Sequence, residues 1–315
     1  MPKWESKMTL VSVIIPTYNR EAVLPRAIRS VLSQDYTNIE VIVVDDCSTD
    51  GTQTVMSEIK DPRVRLIKHE LNKGAGAARN TGIKAAKGEV IAFQDSDDEW
   101  LDGKLSRQIE VLKHADSDCV CVYSAFINYG RDTHGILGVR RVSCVPSVEI
   151  EEEKLKGDLQ NIIWSRSLIS TQTMVCWKKD LEQVGGFDER LPNLIDWDIV
   201  IRLSEIGNLE FVNSPLVNTY TQTDSISSIS RKLPFSQLRI INKLKRRERN
   251  RFLTDPIITN RLARVGWWFG KIGQTSRGDI LLRASLAANP TNMKTWFRFL
   301  ANRLRGLLDR SLLGR

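Results

Sequence analysis

The stretch Val90-Ile91-Ala92-Phe93-Gln94-Asp95-Ser96-Asp97-Asp98 decides the fold. Its apolar half reads as a buried strand, and three carboxylates crowd the carboxyl end of that strand. In extended backbone, residues two apart share a face, so Asp95 and Asp97 are expected to converge on one divalent cation while Asp98 points away or caps the next segment. Donors that are all oxygen favour Mg2+ or Mn2+ over zinc. Taken alone, the same acids read equally well as a solvated turn capping a helix that starts near Leu101. The residues upstream tip the balance.

There, short β-branched runs alternate with helical patterns. Residues 10–15 read as a strand, and Leu24, Ala27, Ile28, Val31 and Leu32 form one helical face, with Pro25 in the first turn, where a missing amide hydrogen costs nothing. A second strand at 39–44, a helix over 52–59, a third strand at 64–67 and an alanine-rich helix over 76–86 lead into the acidic strand. This alternation predicts an α/β fold with a mostly parallel sheet flanked by helices, whose ligands gather at the carboxyl ends of the strands. Three polar clusters fall at those ends: Pro16-Thr17-Tyr18-Asn19, Asp45-Asp46 and Asp95-Ser96-Asp97.

Downstream, residues 119–123 read as a further strand, and 128–170 as a variable excursion in which the glutamates at 149–153 form a solvated surface helix. The pattern sharpens at Thr173-Met174-Val175-Cys176, the turn Gly185-Gly186-Phe187-Asp188, and a helix opening at Asp196 with Ile199, Val200, Leu203 and Ile206 on one face. As an N-cap alone, Asp196 would contribute about 1 kcal/mol. Two strand-like pieces follow at 209–212 and 215–220. Beyond Ser230 the chain reads as several amphipathic helices. One stripe is Ile280, Leu281, Ala284 and Ala288, and another is Trp296, Leu300, Leu304, Leu307 and Leu308. Lys294, Arg298, Arg303, Arg305 and Arg310 interleave with the last stripe. That pattern fits a helix lying in a membrane interface and equally one packed on the protein with its bases in water.

At 315 residues the chain can build one large core with an appendage or two modest domains, and the expected division is 8–230 and 231–315. No apolar run approaches the roughly 20 residues that cross a bilayer. The polar residues 1–7 do not resemble a secretory signal, so a cytoplasmic location is expected, peripheral at the inner membrane surface if the tail binds it. Five cysteines without CxxC spacing suggest reduced thiols, and scattered His69, His114 and His134 suggest no zinc site. Charge is divided by position: from Arg231 onward 20 Lys or Arg face four acids, a balance of +16, which leaves −8 for the first 230 residues. A basic tail of this kind meets an anionic surface, either membrane headgroups or nucleic acid.

The blocks Val11-Ser12-Val13-Ile14-Ile15-Pro16-Thr17-Tyr18-Asn19-Arg20, Val43-Val44-Asp45-Asp46, Gly74-Ala75-Gly76-Ala77-Ala78-Arg79-Asn80 and Asp95-Ser96-Asp97-Asp98, in this order, resemble the family 2 glycosyltransferases and their GT-A nucleotide-sugar domain. Val184-Gly185-Gly186-Phe187-Asp188-Glu189 followed by Asp196-Trp197-Asp198 resembles the same family's acceptor-side motif, so the likeness runs from about residue 10 to 230. Gly74-Ala75-Gly76 is no dinucleotide fingerprint, because it follows the third strand and the first strand ends without glycine. The resemblance implies an inverting sugar transferase with a nucleotide-sugar donor, UDP-linked or similar. It implies that Pro16, Thr17, Tyr18 and Asn19 wall the base, that Asp46 accepts a hydrogen bond from base or ribose, and that Arg79 completes the pocket. Asp95 would contact ribose or metal, Asp97 would hold Mg2+ or Mn2+, and Asp196 would act as general base.

Two positions depart from that pattern. Ile195 stands where the family often has an acid, and Gln222 stands where many relatives carry a metal-binding histidine. The QxxRW motif of processive synthases is missing, which implies single addition to a glycan or lipid-linked acceptor. The rival reading is a nucleic-acid-binding protein with a degenerate nucleotide-binding domain, but the acidic first half argues against any nucleic-acid partner.

Overall fold

The computed structural model describes residues 8–129, 143–145, 155–165, 167–220, 231–247 and 256–313. The glutamates at 149–153 and Gln222 lie outside them. Two compact units divide the chain. The first is Met1–Ile163, Ser167–Leu191 and Ile195–Ser225, and the second is Trp164–Arg166, Pro192–Leu194 and Ile226–Arg315.

In the first unit, β1 (Val11–Thr17), β2 (Ile39–Asp45), β3 (Val64–Lys68) and β4 (Val90–Phe93) are parallel, in the spatial order β3-β2-β1-β4. Each is followed or joined by a helix: α1 (Leu24–Leu32), α2 (Thr52–Glu58), α3 (Ala75–Ala85) and, past the short β5 (Glu99–Trp100), α4 (Lys104–His114). β1 and nearly all of β2 are buried, as unbroken β-branched runs covered on both faces must be. α3 lies close against β1: a Cβ at Gly82 would stand 2.4 Å from Ile14 Cγ2. Proline at the start of α1 and the apolar face of Leu24, Ala27, Ile28 and Val31 match the pattern read from sequence.

Beyond β4 the sheet becomes mixed. β6 (Cys119–Tyr129) pairs with β7 (Ser143–Val145), and β8 (Met174–Trp177) lies antiparallel between β4 and β6. β9 (Asn208–Tyr220) runs parallel to β6 and antiparallel to β5. The unbroken parallel order therefore ends at β4, and the remaining half mixes antiparallel pairs with the one parallel pair β6–β9. The two strand pieces expected near the end of this unit are one strand of 13 residues. Register shifts against β6 admit Pro215, which cannot donate to a ladder. α5 (Gln160–Ser165), α6 (Lys178–Gln183) and α7 (Ile195–Ser204) complete this part of the chain. Cys119, Cys121 and Cys176 are buried free thiols.

Past residue 230 lie α8 (Leu233–Arg247), α9 (Pro256–Lys271), α10 (Thr275–Ala288) and α11 (Met293–Leu313). Ile241, Ile258, Leu262, Val265 and Phe269 form their core. No described helix is long and apolar enough to cross a membrane.

Candidate active site

The carboxyl ends of β1, β2 and β4 lie side by side, with Thr17 opposite Asp45 in the β1–β2 register. Asp46 is engaged by the chain itself. Its Oδ1 accepts the Lys73 amide at 2.9 Å and meets His69 Nδ1 at 2.8 Å, and its Oδ2 accepts the Gly74 amide at 2.7 Å. The carboxylate expected to read a base thus pins the entry to α3. Asp45, named in the sequence only as part of the Asp45-Asp46 cluster and given no role of its own, is fully buried, and its Oδ2 has no partner within the chain. Thr17 Oγ1 and both amide atoms of buried Gln94 are orphaned in the same way. Buried polar atoms rarely stay unpaired, so such a set at three adjoining strand ends marks a place where a polar ligand completes the bonding.

Of the other expected wall residues, Pro16 lies inside β1 and Tyr18 is exposed. Asn19 adopts a left-handed φ of 53°. Its amide donates to Ser48 Oγ at 2.9 Å and its Oδ1 accepts the Thr49 amide at 2.8 Å, which ties the β1 and β2 loops together.

The acidic stretch is a turn, where extended backbone had been expected. Asp98 N donates to Asp95 O at 3.1 Å, closing four residues and removing the alternation on which the i, i+2 argument rested. The buried Asp98 accepts the Tyr220 amide at 3.1 Å, which ties the turn to the end of β9. Desolvation holds its carboxyl well above the ordinary range, and the charges of Asp95 and Asp97 push the same way. Arg26 braces the turn: it donates to the Asp97 carbonyl and stands 4.0 Å from the centre of the Tyr220 ring. Tyr220 in turn stacks on Tyr129 and donates to Glu99. Arg26 and Tyr220 gave no signal in the sequence, because they lie 71 and 122 residues from the acids they serve.

Asp95 and Asp97 themselves stay partly open, with side chains 28% and 23% exposed. Asp95 accepts from Arg79, and Asp97 lies 3.9 Å from Arg20 Nε. Among the described residues no three His, Cys, Asp or Glu gather to enclose an ion. Two open, hard carboxylates fit Mg2+ or Mn2+, ions that keep several waters and take phosphate oxygens as further ligands.

Arg79 joins this end of the sheet to the later motif. Buried on α3, it lies over the Phe187 ring at 5.6 Å, while Phe187 meets Phe93 edge-to-face at 5.4 Å. The next residue, Asn80, donates to Phe187 O at 3.0 Å and to Glu189 Oε1 at 2.8 Å, and its Oδ1 accepts the Phe187 amide at 2.8 Å. Gly185 and Gly186 carry φ values of 79° and 65°. A Cβ at Gly186 would lie 2.5 Å from Asn80 Oδ1.

Asp196 opens α7, and its Oδ1 accepts the Trp197 amide at 2.8 Å. Burial raises its carboxyl above the ordinary value, the Arg79 charge opposes that rise and the Asp95 charge adds to it. Asp95, Arg79 and Asp196 therefore act on one another although they come from three separate elements. Asp198, the other acid of the motif, is spent in a buried pair with Arg202 at 2.6 Å.

Comparison with known proteins identifies the family and the fold. The family model for glycosyl transferase family 2 matches residues 12–168. An uncharacterized glycosyltransferase of Rickettsia prowazekii is 32% identical over 210 residues, covering 67% of this chain and 63% of that protein. The UDP-Glc:alpha-D-GlcNAc-diphosphoundecaprenol beta-1,3-glucosyltransferase of Escherichia coli is 48% identical over 106 residues, covering 34% of this chain and 42% of that enzyme. The chain thus spans about half the length of these relatives. The crystal structure of Staphylococcus aureus TarS 1-349 with UDP-GlcNAc superposes with a TM-score of 0.59 at 21% identity, covering 96% of this chain and 91% of that one.

Proposed function

The chain belongs to the family 2 glycosyltransferases, and from that premise we propose that it is an inverting transferase moving one sugar from a nucleotide-sugar donor, UDP-linked, to a hydroxyl of a lipid-linked glycan. The observation that carries this reading is the set of unpaired buried polar atoms of Thr17, Asp45 and Gln94 at adjoining strand ends, next to the Arg79–Asp95 pair whose charges also act on Asp196. The donor chemistry follows from the relatives, one of which is named for a UDP-Glc donor and a diphosphoundecaprenol-linked acceptor. With an acceptor of that kind the reaction would run at the cytoplasmic face of a membrane. The nucleic-acid alternative finds no support in any of the comparisons.

In this reading the donor's base and ribose lie along Pro16, Thr17, Tyr18 and Asn19, with Asp45 and Thr17 completing their bonding and Asp46 holding the loop that shapes the pocket. Asp95 and Asp97 are the residues that would hold Mg2+ or Mn2+, whose positive charge would offset that of the leaving diphosphate. Arg79 holds Asp95 in place and adds positive charge near the developing anion. Asp196 accepts the proton of the acceptor hydroxyl as that oxygen attacks the anomeric carbon opposite the leaving diphosphate, and a single in-line displacement inverts the centre. Its raised proton affinity makes it a stronger base than an exposed aspartate.

Nucleotide release from a panel of sugar nucleotides with Mn2+ tests the proposal. One donor should be turned over, and release should be abolished in Asp97→Asn. Turnover that is indifferent to that change, or binding of no donor, would overturn it.

A further inference from the structure

Helix α11 is packed the wrong way round for a helix meant only to face water. Met293, Phe297, Leu300, Leu304 and Leu307 are 77, 70, 58, 61 and 64% exposed, and their 4-3-4-3 spacing aligns them on one ridge. On the opposite side Thr295 and Asn302 are fully buried. Asn302 Nδ2 donates to the Thr275 carbonyl at 2.8 Å and to Asp279 Oδ1 at 2.7 Å. The helix is docked through polar residues and turns an apolar ridge outward, and a contiguous exposed patch of this kind marks a surface with a partner.

Charge tells which partner. Between residues 293 and 313 stand Lys294, Arg298, Arg303, Arg305 and Arg310 against Asp309 alone. If the ridge were the seam of a helix pair, Lys294 and Arg310 would fall on its flanks, with Arg303 beside them held 3.3 Å from Asp279, and no acid of α11 itself lies on either flank, so a second copy would bring like charges together. An anionic bilayer is instead complementary to both features. At the start of the ridge a groove of about 430 Å³ is lined by Trp267, Met293, Phe297, Lys294 and Arg298. Such a combination suits the boundary between phosphate headgroups and acyl chains.

We propose that α11 is a membrane-docking helix that lays the ridge of Met293, Phe297, Leu300, Leu304 and Leu307 into the interface of an anionic bilayer, with the flanking Lys and Arg on lipid phosphates. Docking of this kind is independent of the transferase reading. Flotation of the full chain with vesicles tests it, using phosphatidylcholine alone or mixed with phosphatidylglycerol. The native chain should float with the mixed vesicles and stay behind with phosphatidylcholine. A triple variant, Phe297→Ser with Leu300→Ser and Leu304→Ser, alters only exposed side chains. It should keep its melting temperature and lose at least about tenfold in vesicle affinity. Three outcomes would overturn the proposal: undiminished binding by the triple variant, which would make the attraction purely electrostatic; a dimer by light scattering that the same variant dissolves, with no vesicle binding; or binding to polyuridylate in place of vesicles.

Discussion

Asp196 and Lys104 show how burial at single residues sets what this protein can do. Because burial raises the carboxyl of Asp196, a base at this position works only above a pKa higher than that of an ordinary aspartate. Transfer should therefore fall as pH drops through that raised value, and a pH–rate profile should show the acid limb displaced upward. Asp196→Asn should keep nucleotide affinity within a few-fold and lose on the order of 10³ in kcat, since only the proton acceptor is removed. Lys104 is unrelated to the chemistry. It is fully buried, donates to Gln108 Oε1 at 2.7 Å and lies 4.2 Å from the centre of the Trp100 ring. Desolvation lowers its pKa from 10.5 to about 7. Between those values the unfolded chain binds the extra proton, so stability rises with pH from about 7 to 10, while below 7 the charge is carried inside the core. The penalty is on the order of 5 kcal/mol. Lys104→Met should raise the urea midpoint at pH 6 and flatten its rise toward pH 9. A midpoint lowered at every pH would contradict this account.

The elements show where the sequence was sufficient and where it was not. β1, β2, β4 and α1 follow local periodicity and end within two residues of the limits read from it, because unbroken β-branched runs and a single apolar helical face leave little choice. The acidic turn at 95–98 and the continuous β9 are set by remote partners instead. Tyr220 N reaches Asp98, and the β6 register carries Pro215 through a bulge. The choice between Asp45 and Asp46 was likewise illegible: adjacent acids on a strand end face opposite ways, and the Lys73 and Gly74 amides decide which one is consumed. The contact between α3 and the Gly185-Gly186 turn is the element on which the candidate site depends most, since it joins Arg79 to the block that ends in Asp196. At Gly186 any side chain meets both a φ of 65° and Asn80 Oδ1. Gly186→Ala should cost about 1–3 kcal/mol by urea unfolding and reduce transfer as well. A loss of stability with full activity would show that the turn is structural only.

For the molecule as a whole, charge and topology separate two tasks. An acidic first part carries the mixed sheet and the candidate site, and a basic helical part carries the exposed ridge. No described helix is able to span a membrane, and the sequence carries no QxxRW motif. Each acceptor should gain one sugar, and mass spectrometry of the product should show a single increment where a processive enzyme would give a ladder.

The central claim is that Asp97 serves the donor and Asp196 serves the acceptor at one site, and equilibrium nucleotide binding measured beside transfer tests it most directly. The Asp97→Asn protein should lose both UDP-sugar binding in Mn2+ and transfer, while the Asp196→Asn protein should bind the donor nearly as the native chain does and transfer on the order of 10³-fold more slowly. Transfer at the native rate by the Asp196→Asn protein, or unchanged donor binding and turnover by the Asp97→Asn protein, would contradict it.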